Sequence, residues 1–391
     1  MKHLSRGSLV EKKMERHMKQ FSLATIPLVC AAIAPLSADQ MSNGNQQMMK
    51  ADQVNQQNWM NNTITPEGMP ATAHWADPFV TADFIWWKAQ EEGLDFAYSG
   101  VQQTANSHAS KGHVHHPEFK YEPGFKVGLG LKFDHDGFDF FAEYTWIHFN
   151  DVEDTARHKN TQNNNLWANL WLQYHDVIST SPATGASNIG SFVHKGEGSW
   201  QLHFNNIDLE LGRNYWISKW LALRPFVGLK VSWMEQNFHA EYHVNDASHS
   251  FDRWDYHMYQ DQDQWGVGVR AGLNTVWYLW KHVGIFGDFA LSGMYNHFDT
   301  ERRDKYRNNQ SLFTKNLNTE AGFYDVTAVL EWALGARFDT AFHNDDYYFY
   351  FQAGWEQQLW FNQNQFFYLA EGKGSGNLSM QGLTLEMGFY F

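Results

Sequence analysis

Apolar side chains occupy every second position along the last segment of the chain. On one face these are Leu383, Leu385, Met387, Phe389 and Phe391. The residues between them are Gly382, Thr384, Glu386, Gly388 and Tyr390. Because successive side chains of a β-strand point to opposite faces, this alternation over 382–391 predicts a strand with one apolar face.

The same alternation recurs upstream. Apolar residues alternate with glycine, charged or amide residues over 124–133, 221–233, 265–274 and 325–337, and a first strand is predicted over 79–97. A membrane barrel needs an outer face that is apolar and an inner face that is small or polar, which this pattern provides. A soluble β-sandwich has the same two-residue period, so periodicity alone leaves both architectures open.

The lengths of the connections favour the barrel. Short links are predicted at 134–137, 217–220, 281–282 and 342–345, and long polar links at 151–198, 245–262, 300–320 and 366–376. Tight turns on one rim and long loops on the other are typical of outer-membrane barrels. The sequence therefore predicts an all-β fold, a transmembrane antiparallel up-and-down β-barrel of about ten strands with short periplasmic turns and long extracellular loops. Twelve strands are the alternative, because 151–198 could contain a further hairpin around 166–177; residues 166–172 could instead form a short helix.

Aromatic residues agree with this fold. The chain is 17% aromatic, with 18 Trp, 17 Tyr and 30 Phe, yet past residue 40 it has no apolar run long enough for a membrane-spanning helix. Several aromatic residues fall near the ends of predicted strands: Trp86, Trp87, Tyr144, Trp146, Trp216, Trp220, Trp277, Tyr278, Trp280 and Trp360. We expect them to form belts at the two membrane interfaces, with ordinary core aromatics as the alternative.

The first residues have the pattern of an export signal. Lys12, Lys13, Arg16 and Lys19 precede an apolar stretch over 21–35, and small residues follow, so cleavage is predicted near Ala38. We therefore divide the chain into a signal peptide (1–38), a flexible leader rich in Gln, Asn and Met (39–76) and the barrel (77–391). For the leader, a periplasmic tether or a plug inside the lumen is the alternative.

Charge and cysteine content exclude several functions. The formal net charge is −14, and removal of 1–38 leaves about −18, which argues against nucleic acid as a partner. Cys30 is the only cysteine and lies in the predicted signal peptide. A mature chain would therefore have neither disulfide bonds nor thiolate chemistry.

One segment near the start of the predicted barrel carries a family resemblance. The sequence ADFIWWKAQEEGLDFAY over 82–98, followed by GFKVGLG over 124–130, resembles the major outer membrane proteins of Legionella and of Chlamydia-related bacteria. The likeness covers roughly residues 77–391 and implies an abundant surface porin of the bacterial outer membrane. Chlamydial members are known for disulfide cross-linking, so the absence of mature cysteines puts covalent envelope scaffolding in doubt here.

Charged residues on the polar faces of the predicted strands are candidates to line a pore. The acidic candidates are Asp83, Asp139, Glu143, Asp208, Glu210, Asp288, Asp325 and Glu331, and the basic ones are Lys126, Lys132, Arg224, Lys230, Arg270 and Arg337. Opposed rows of charge would solvate a lumen and set a transverse field, as charge rings do in selective channels. The glycines predicted to face inward would leave space in a narrow barrel: Gly128, Gly130, Gly228, Gly266, Gly268 and Gly272.

The acidic loops extend this expectation to selectivity. Carboxylates open the longest predicted loop and crowd another: Asp151, Glu153, Asp154, Asp252, Asp255, Asp261 and Asp263. They should concentrate cations at the outer mouth, whereas the charges predicted within the lumen nearly balance. We therefore expect a weak preference for cations.

Histidine-rich segments are the main candidates for other chemistry. His108, His113, His115 and His116 lie close together, and His239, His243, His249 and His257 surround a later loop. Because the sequence shows no fixed carboxylate beside them, solvated loop histidines are favoured over a metal site. The glycine-rich segment 372–376 lacks the spacing of a phosphate-binding loop, and the sequence has no nucleophile elbow. We expect no cofactor, no metal and no enzymatic activity.

The sequence thus favours an outer-membrane porin for passive diffusion of small hydrophilic solutes or ions. A surface adhesin or structural protein with a closed barrel is the second hypothesis, and a barrel enzyme is the third. Expected partners are outer-membrane lipid and the assembly machinery, which would read the terminal Phe389 and Phe391, and an oligomer is left open.

We expect the mature protein to begin near Asp39, because the basic and apolar blocks end there. N-terminal sequencing of the protein from cell envelopes is the measurement. Recovery of Met1 as the first residue would contradict the export signal.

Overall fold

The molecule is built from β-strands. This computed structural model describes residues 75–99, 112–134, 137–157, 166–168, 193–245, 253–308, 314–342, 347–368, 372–373 and 376–391. The strands within these residues are β1 (Ala76–Glu91), β2 (Ala97–Ser99), β3 (His113–His115), β4 (Tyr121–Phe133), β5 (Phe138–Arg157), β6 (Leu166–Ala168), β7 (Lys195–Arg213), β8 (Tyr215–Ser218), β9 (Leu221–Asn245), β10 (Arg253–Trp280), β11 (Val283–Asn308), β12 (Thr314–Phe342), β13 (Tyr347–Asn364), β14 (Phe367–Tyr368), β15 (Gly372–Lys373) and β16 (Gly376–Tyr390). Among the described residues we find no helix with the length and hydrophobicity needed to span a membrane.

The predicted signal peptide (1–38) and nearly all of the predicted leader (39–76) lie outside the described residues. The division of the chain into these segments therefore stays a prediction.

Ten of the strands close into one antiparallel barrel. They follow one another around it in chain order: β1, β4, β5, β7, β9, β10, β11, β12, β13 and β16. β16 returns to pair with β1, from Phe79 opposite Tyr390 to Glu91 opposite Leu378, so the barrel has no open edge at this seam. The predicted ten-stranded barrel is confirmed.

The alternative of twelve barrel strands is wrong for the described residues. The segment in question contributes only β6, which pairs with β2 in a separate three-stranded sheet that also contains β3. Because 166–168 form a strand, a short helix is also wrong for these three residues, and 169–177 lie outside the described residues.

The barrel strands extend farther on the loop side than predicted. β10 has 28 residues and β12 has 29, whereas about 9 to 11 residues suffice to cross a bilayer. The links 246–252 and 309–313 replace the predicted 245–262 and 300–320. The outward-facing residues of these extensions are polar, as at Asp261 and Asp263, and this hides the apolar alternation by which a strand is recognised.

The first strand is shorter than predicted. β1 ends at Glu91 rather than near residue 97. Gly93 follows with a φ of 86°, a left-handed conformation that glycine adopts without steric cost and that turns the chain away from the strand.

A band of apolar side chains surrounds the barrel. Outward-facing residues such as Leu129, Val269 and Val326 are exposed at 67%, 69% and 69%. Exposed aromatic residues flank this band, with Trp86, Trp233 and Trp265 toward the loops and Trp220, Trp277 and Trp280 toward the short turns. Apolar exposure of this extent requires lipid as its partner, so the band faces the membrane.

Four of the aromatic residues predicted for the belts point inward instead. Trp87 and Trp360 are fully buried inside the barrel, and Trp216 and Tyr278 line an internal cavity. Trp86 and Trp87 are adjacent on one strand, so only one of them can face lipid. A cluster of aromatic residues near a strand end therefore did not reveal which ring faces out.

We expect the Val269→Arg variant to lose about 2 to 4 kcal/mol of folding free energy, because Val269 faces lipid in the middle of the band. Asn237→Arg is the matched control, since Asn237 faces outward on β9 beyond the band. Urea titration of both variants refolded into vesicles measures the difference. Equal stability of the two variants would contradict the assignment of the band.

Candidate functional site

The candidate site is the lumen, and the predicted pore-lining charges all lie on its side of the wall. Eight of them are buried: Asp83, Lys126, Lys132, Asp139, Asp208, Glu210, Lys230 and Glu331. The others, at inward-facing positions, are partly exposed: Glu143, Arg224, Arg270, Asp288, Asp325 and Arg337. The alternation that predicted the strands therefore also placed these side chains on the correct face. That they line a conducting pore stays a prediction.

Lys230 is the centre of one ion-pair network. Its fully buried ammonium lies 2.8 Å from Asp208 on the neighbouring strand β7 and 2.6 Å from Glu331 on β12. Strands β10 and β11 separate β9 from β12 around the wall, so the contact with Glu331 crosses the lumen. The network ties two sides of the barrel together.

Two arginines extend this network toward the short turns. Arg270 donates to both Glu331 and Glu210. Arg224 donates to Glu210 at 2.7 Å and to Asp139 at 3.0 Å. The three cations and four carboxylates lie within ion-pair distance of one another inside the protein, and pairing is the condition under which buried charges are tolerated.

Lys126 forms a second bridge across the lumen. Its ammonium lies 2.8 Å from Glu356 on β13 and 3.6 Å from Glu143 on β5. Strands β1 and β16 lie between β4 and β13, so this pair also joins strands that are not neighbours. The Glu356 carboxylate also accepts a hydrogen bond from Thr384 at 3.0 Å.

The remaining predicted charges lie around these bridges. Arg337 stacks 3.9 Å above the ring of Tyr350, and Asp288 accepts a hydrogen bond from Asn274 at 2.9 Å. Asp325 lies farther toward the loops, where Asn362 donates to it at 3.2 Å. Lys132 is in register with Asp139 on the next strand.

Several lumen residues were missed by the sequence reasoning. Glu356 and Glu386 face the same space as the predicted set, and Glu386 accepts hydrogen bonds from Tyr350 and Gln352. The alternation at the end of the chain already put Glu386 on the polar face and could have found it. Glu356 carried the same signal, because Phe349, Phe351, Ala353 and Trp355 alternate with Tyr350, Gln352, Gly354 and Glu356 on β13.

A cavity of about 210 Å³ lies among these charges on the turn side of the lumen. Seven carboxylates and four cations line it: Asp83, Glu143, Glu210, Asp288, Glu331, Glu356 and Glu386, with Lys126, Arg224, Arg270 and Arg337. The predicted near-balance of charge is therefore shifted toward acid once Glu356 and Glu386 are included. A space of this character favours water and cations.

Apolar side chains form a layer on the loop side of the lumen, alongside buried polar residues such as Gln236, Gln264 and Arg302. This apolar layer consists of buried inward-facing residues contributed by most of the barrel strands: Ile85, Trp87, Ile147, Phe149, Trp200, Leu202, Phe204, Met234, Phe238, Met294, Val329, Trp360, Leu378 and Met380. The rings of Phe204 and Trp360 meet edge-on at 5.6 Å. Because these side chains are 0–1% exposed, water does not reach them.

Segments beyond the strand ends reinforce the apolar layer. Phe96 and Phe366 are buried within it, at 0% and 1% exposure. Tyr242 donates to the Phe96 carbonyl at 2.6 Å, and the backbone N–H of Phe367 donates to Gln260 at 2.8 Å. Gly198 lies against Phe96, whose ring would be 2.4 Å from a Cβ atom at that position.

The inward-facing glycines do not leave open space, contrary to the expectation from the sequence. A Cβ atom at Gly130 would lie 2.0 Å from the ring of Phe79, and one at Gly272 would lie 2.4 Å from the ring of Phe226. These two glycines therefore each accommodate an aromatic ring from a neighbouring strand. The sequence gives the direction in which a glycine faces but not which side chain fills the space beside it.

Histidines form a second group, on the outer face of the barrel beyond the apolar band. His239 and His243 lie on β9, and His257 lies on β10 rather than in a loop as predicted. Burial lowers the pKa of His257. Burial alone would raise the pKa of Asp255. Hydrogen bonds from His243 and Arg307 outweigh this effect and hold the pKa of Asp255 below its ordinary value.

The histidines of the first long connection are partly described. His115 lies on β3, where its Nε2 is 3.0 Å from the hydroxyl of Ser99, and burial lowers the pKa of its imidazole. His108 and His249 lie outside the described residues.

Comparison with known proteins places the chain among outer-membrane proteins. The model of the family described as Legionella pneumophila major outer membrane protein precursor matches residues 69–391. No curated protein matches the chain.

Solved structures with a similar fold are outer-membrane proteins. They include the outer membrane protease OmpT from Escherichia coli, at 10% identity and a TM-score of 0.34, over 81% of this chain and 96% of that chain. A major outer membrane protein from Thermus thermophilus has 9% identity and a TM-score of 0.26, over 81% and 100%. The toluene transporter TodX of Pseudomonas putida has 7% identity and a TM-score of 0.24, over 82% and 90%. At these values the likenesses carry no information about what this chain does.

We expect the Glu331→Gln variant to lose about 3 to 5 kcal/mol of folding free energy, because Lys230 and Arg270 would keep buried charges with a partner removed. Glu301→Gln is the control, since Glu301 pairs with Arg303 on the exposed outer face, where a pair contributes about 1 kcal/mol or less. Urea unfolding of the refolded proteins measures both. A loss below about 1 kcal/mol for Glu331→Gln would mean that the network is not a buried one.

Proposed function

The chain belongs to the Legionella major outer membrane protein family and is located in the bacterial outer membrane, and from that premise we propose that its main role is structural. In this proposal the barrel is closed to solutes. It anchors itself in outer-membrane lipid through the apolar band and presents its loop side at the cell surface, as a structural protein or adhesin does.

The apolar layer is the observation that carries this proposal. Trp87, Trp200 and Trp360 are each 0% exposed, and apolar side chains from both sides of the barrel pack around them. A hydrated ion or sugar would have to displace these rings and lose its own hydration. Barrels of eight strands are filled by side chains and clear aqueous channels have 16 to 18, so ten strands favour a filled lumen.

A porin for small hydrophilic solutes or ions is the second candidate, and the acidic cavity favours it. Seven carboxylates against four cations would attract cations into the turn side of the lumen. Passage then requires a rearrangement of the apolar layer, so this porin would conduct intermittently. The cation preference would be weak, because the cavity still holds four fixed positive charges.

We propose no enzymatic activity for the lumen. Several of its carboxylates are held by structural partners, as Glu210 is by Arg224 and Arg270, and Glu386 is by Tyr350 and Gln352. General acid or base catalysis requires a group that can exchange a proton with a substrate at hydrogen-bond distance. The arrangement supports cohesion of the barrel instead.

Assembly is proposed to depend on the end of the chain. The backbone N–H of Phe391 donates to the Pro78 carbonyl at 3.1 Å, and the ring of Phe391 packs edge-on against Phe389 at 4.8 Å. Both rings lie on the outer face at the seam where the barrel closes. They therefore face outward, where assembly machinery can contact them while the barrel closes.

Conductance in planar bilayers separates the two candidate functions. We expect the refolded wild type to give no sustained current, because the apolar layer excludes hydrated ions. The double variant Trp200→Ala, Trp360→Ala should conduct, since it removes two large rings from the layer. Its reversal potential in a salt gradient should show a weak cation preference that fades as salt rises, because screening acts over about 8 Å at physiological ionic strength.

The matched control is Trp277→Ala, Trp280→Ala, which removes two outward-facing rings and should stay silent like the wild type. Stable single-channel steps from the wild type, equal in size to those of the Trp200 and Trp360 variant, would contradict the closed barrel and favour the porin.

A further inference from the structure

A cluster of histidine and carboxylate side chains lies on the outer face of the barrel, beyond the apolar band. On β9 the band ends at Trp233, and His239 follows six positions later, roughly 20 Å along the strand at about 3.3 Å per residue. The cluster is therefore outside the hydrocarbon region and on the loop side. Neither the closed barrel nor the porin uses these residues.

Strand register brings the cluster together. Glu241 on β9 is directly opposite His257 on β10 and Glu197 on β7. His239 is two residues before Glu241 on the same strand and faces the same way. Donor atoms of His239, Glu241 and His257 all lie within 4.8 Å of one another.

The side chains of the cluster are held in place by their neighbours. The ring of His239 stacks on Tyr259 at 4.2 Å and on His257 at 5.6 Å, with the planes nearly parallel in both contacts. Glu241 Oε1 lies 3.4 Å from His257 Nε2. Stacking restricts the rotation of the imidazoles, so a ligand that binds them costs little additional side-chain entropy.

We propose that His239, Glu241 and His257 form a binding site for a divalent transition-metal ion of the zinc type. Two imidazole nitrogens and one carboxylate oxygen are a donor set that zinc takes when a further coordination position stays open. Imidazole ligands disfavour calcium and magnesium, which prefer sites built wholly from oxygen. His257 and Glu241 keep 14% and 26% of their side chains exposed, so an ion can enter from the solvent.

A neighbouring arrangement supports the assignment. His243 donates from Nδ1 to Asp255 at 2.7 Å, and Arg307 donates to the same carboxylate at 3.0 Å. His243 therefore turns its Nε2 toward Glu241 at 3.4 Å and Glu197 at 3.9 Å. A carboxylate that orients the far nitrogen of a histidine is the usual outer support of a metal-binding imidazole. His243 is thus placed as a further donor beside the same carboxylate, Glu241.

Titration calorimetry with zinc chloride tests the proposal on the refolded full-length barrel, prepared without a histidine tag. We expect one zinc ion per chain and no heat of binding with magnesium chloride. The Glu241→Gln and His257→Ala variants should each weaken zinc binding at least about tenfold, because loss even of supporting groups costs about 10- to 100-fold. Circular dichroism establishes that each variant keeps its strands.

His297→Ala is the matched control. His297 is also an outward-facing histidine, but it lies against the rings of Trp265 and Tyr324, so its removal should leave zinc affinity unchanged. The proposal is overturned if wild type binds no zinc. It is equally overturned if both site variants bind zinc as tightly as wild type, since the ion would then be held elsewhere, for example at His113, His115 and His116.

Discussion

Closure of the sheet at ten strands is the constraint on which the rest of the structure depends. Within a bilayer every backbone N–H and C=O group needs a partner in the protein, and the pairing of β16 with β1 provides one for the two strands that would otherwise be edges. A ring of this size has a narrow lumen. Side chains from strands that are not neighbours consequently meet across it, as Lys126 meets Glu356 and Lys230 meets Glu331.

The narrow lumen is divided along its length by two kinds of packing. On the turn side, charged side chains pair in networks that reach across the barrel and leave an excess of carboxylates around the cavity. On the loop side, aromatic and aliphatic side chains pack as they do in the core of a soluble protein. Outer-membrane location follows from the outer surface, whereas any transport depends on the inner one. Whether the barrel is closed or acts as a porin therefore depends on whether buried rings such as Trp200 and Trp360 can move aside.

Much of the barrel wall could be predicted from the sequence, because the two-residue period of a strand depends only on residues that are close together in the chain. It gave the inward direction of residues such as Lys230, and together with the alternately short and long links it identified the barrel and the number of strands. What it could not supply depends on the register between strands and on tertiary packing. That Glu241 lies opposite His257 follows from pairing across a link of the chain, and that Phe96 enters the lumen follows from tertiary packing. The loop-side extensions of the strands were missed because their outer face meets water instead of lipid. Their outward-facing residues are therefore polar, and the alternation of apolar and polar residues is lost.

The long loop-side extensions carry the ends of the barrel strands well away from the membrane. On β10 about a dozen residues, 253–264, precede the first exposed aromatic residue of the band, Trp265. At about 3.3 Å per residue and a tilt of about 40°, this stretch rises on the order of 30 Å. These paired strand ends form a stiff hydrogen-bonded collar, so a neighbouring cell or an antibody meets the collar before it meets the lipid head groups.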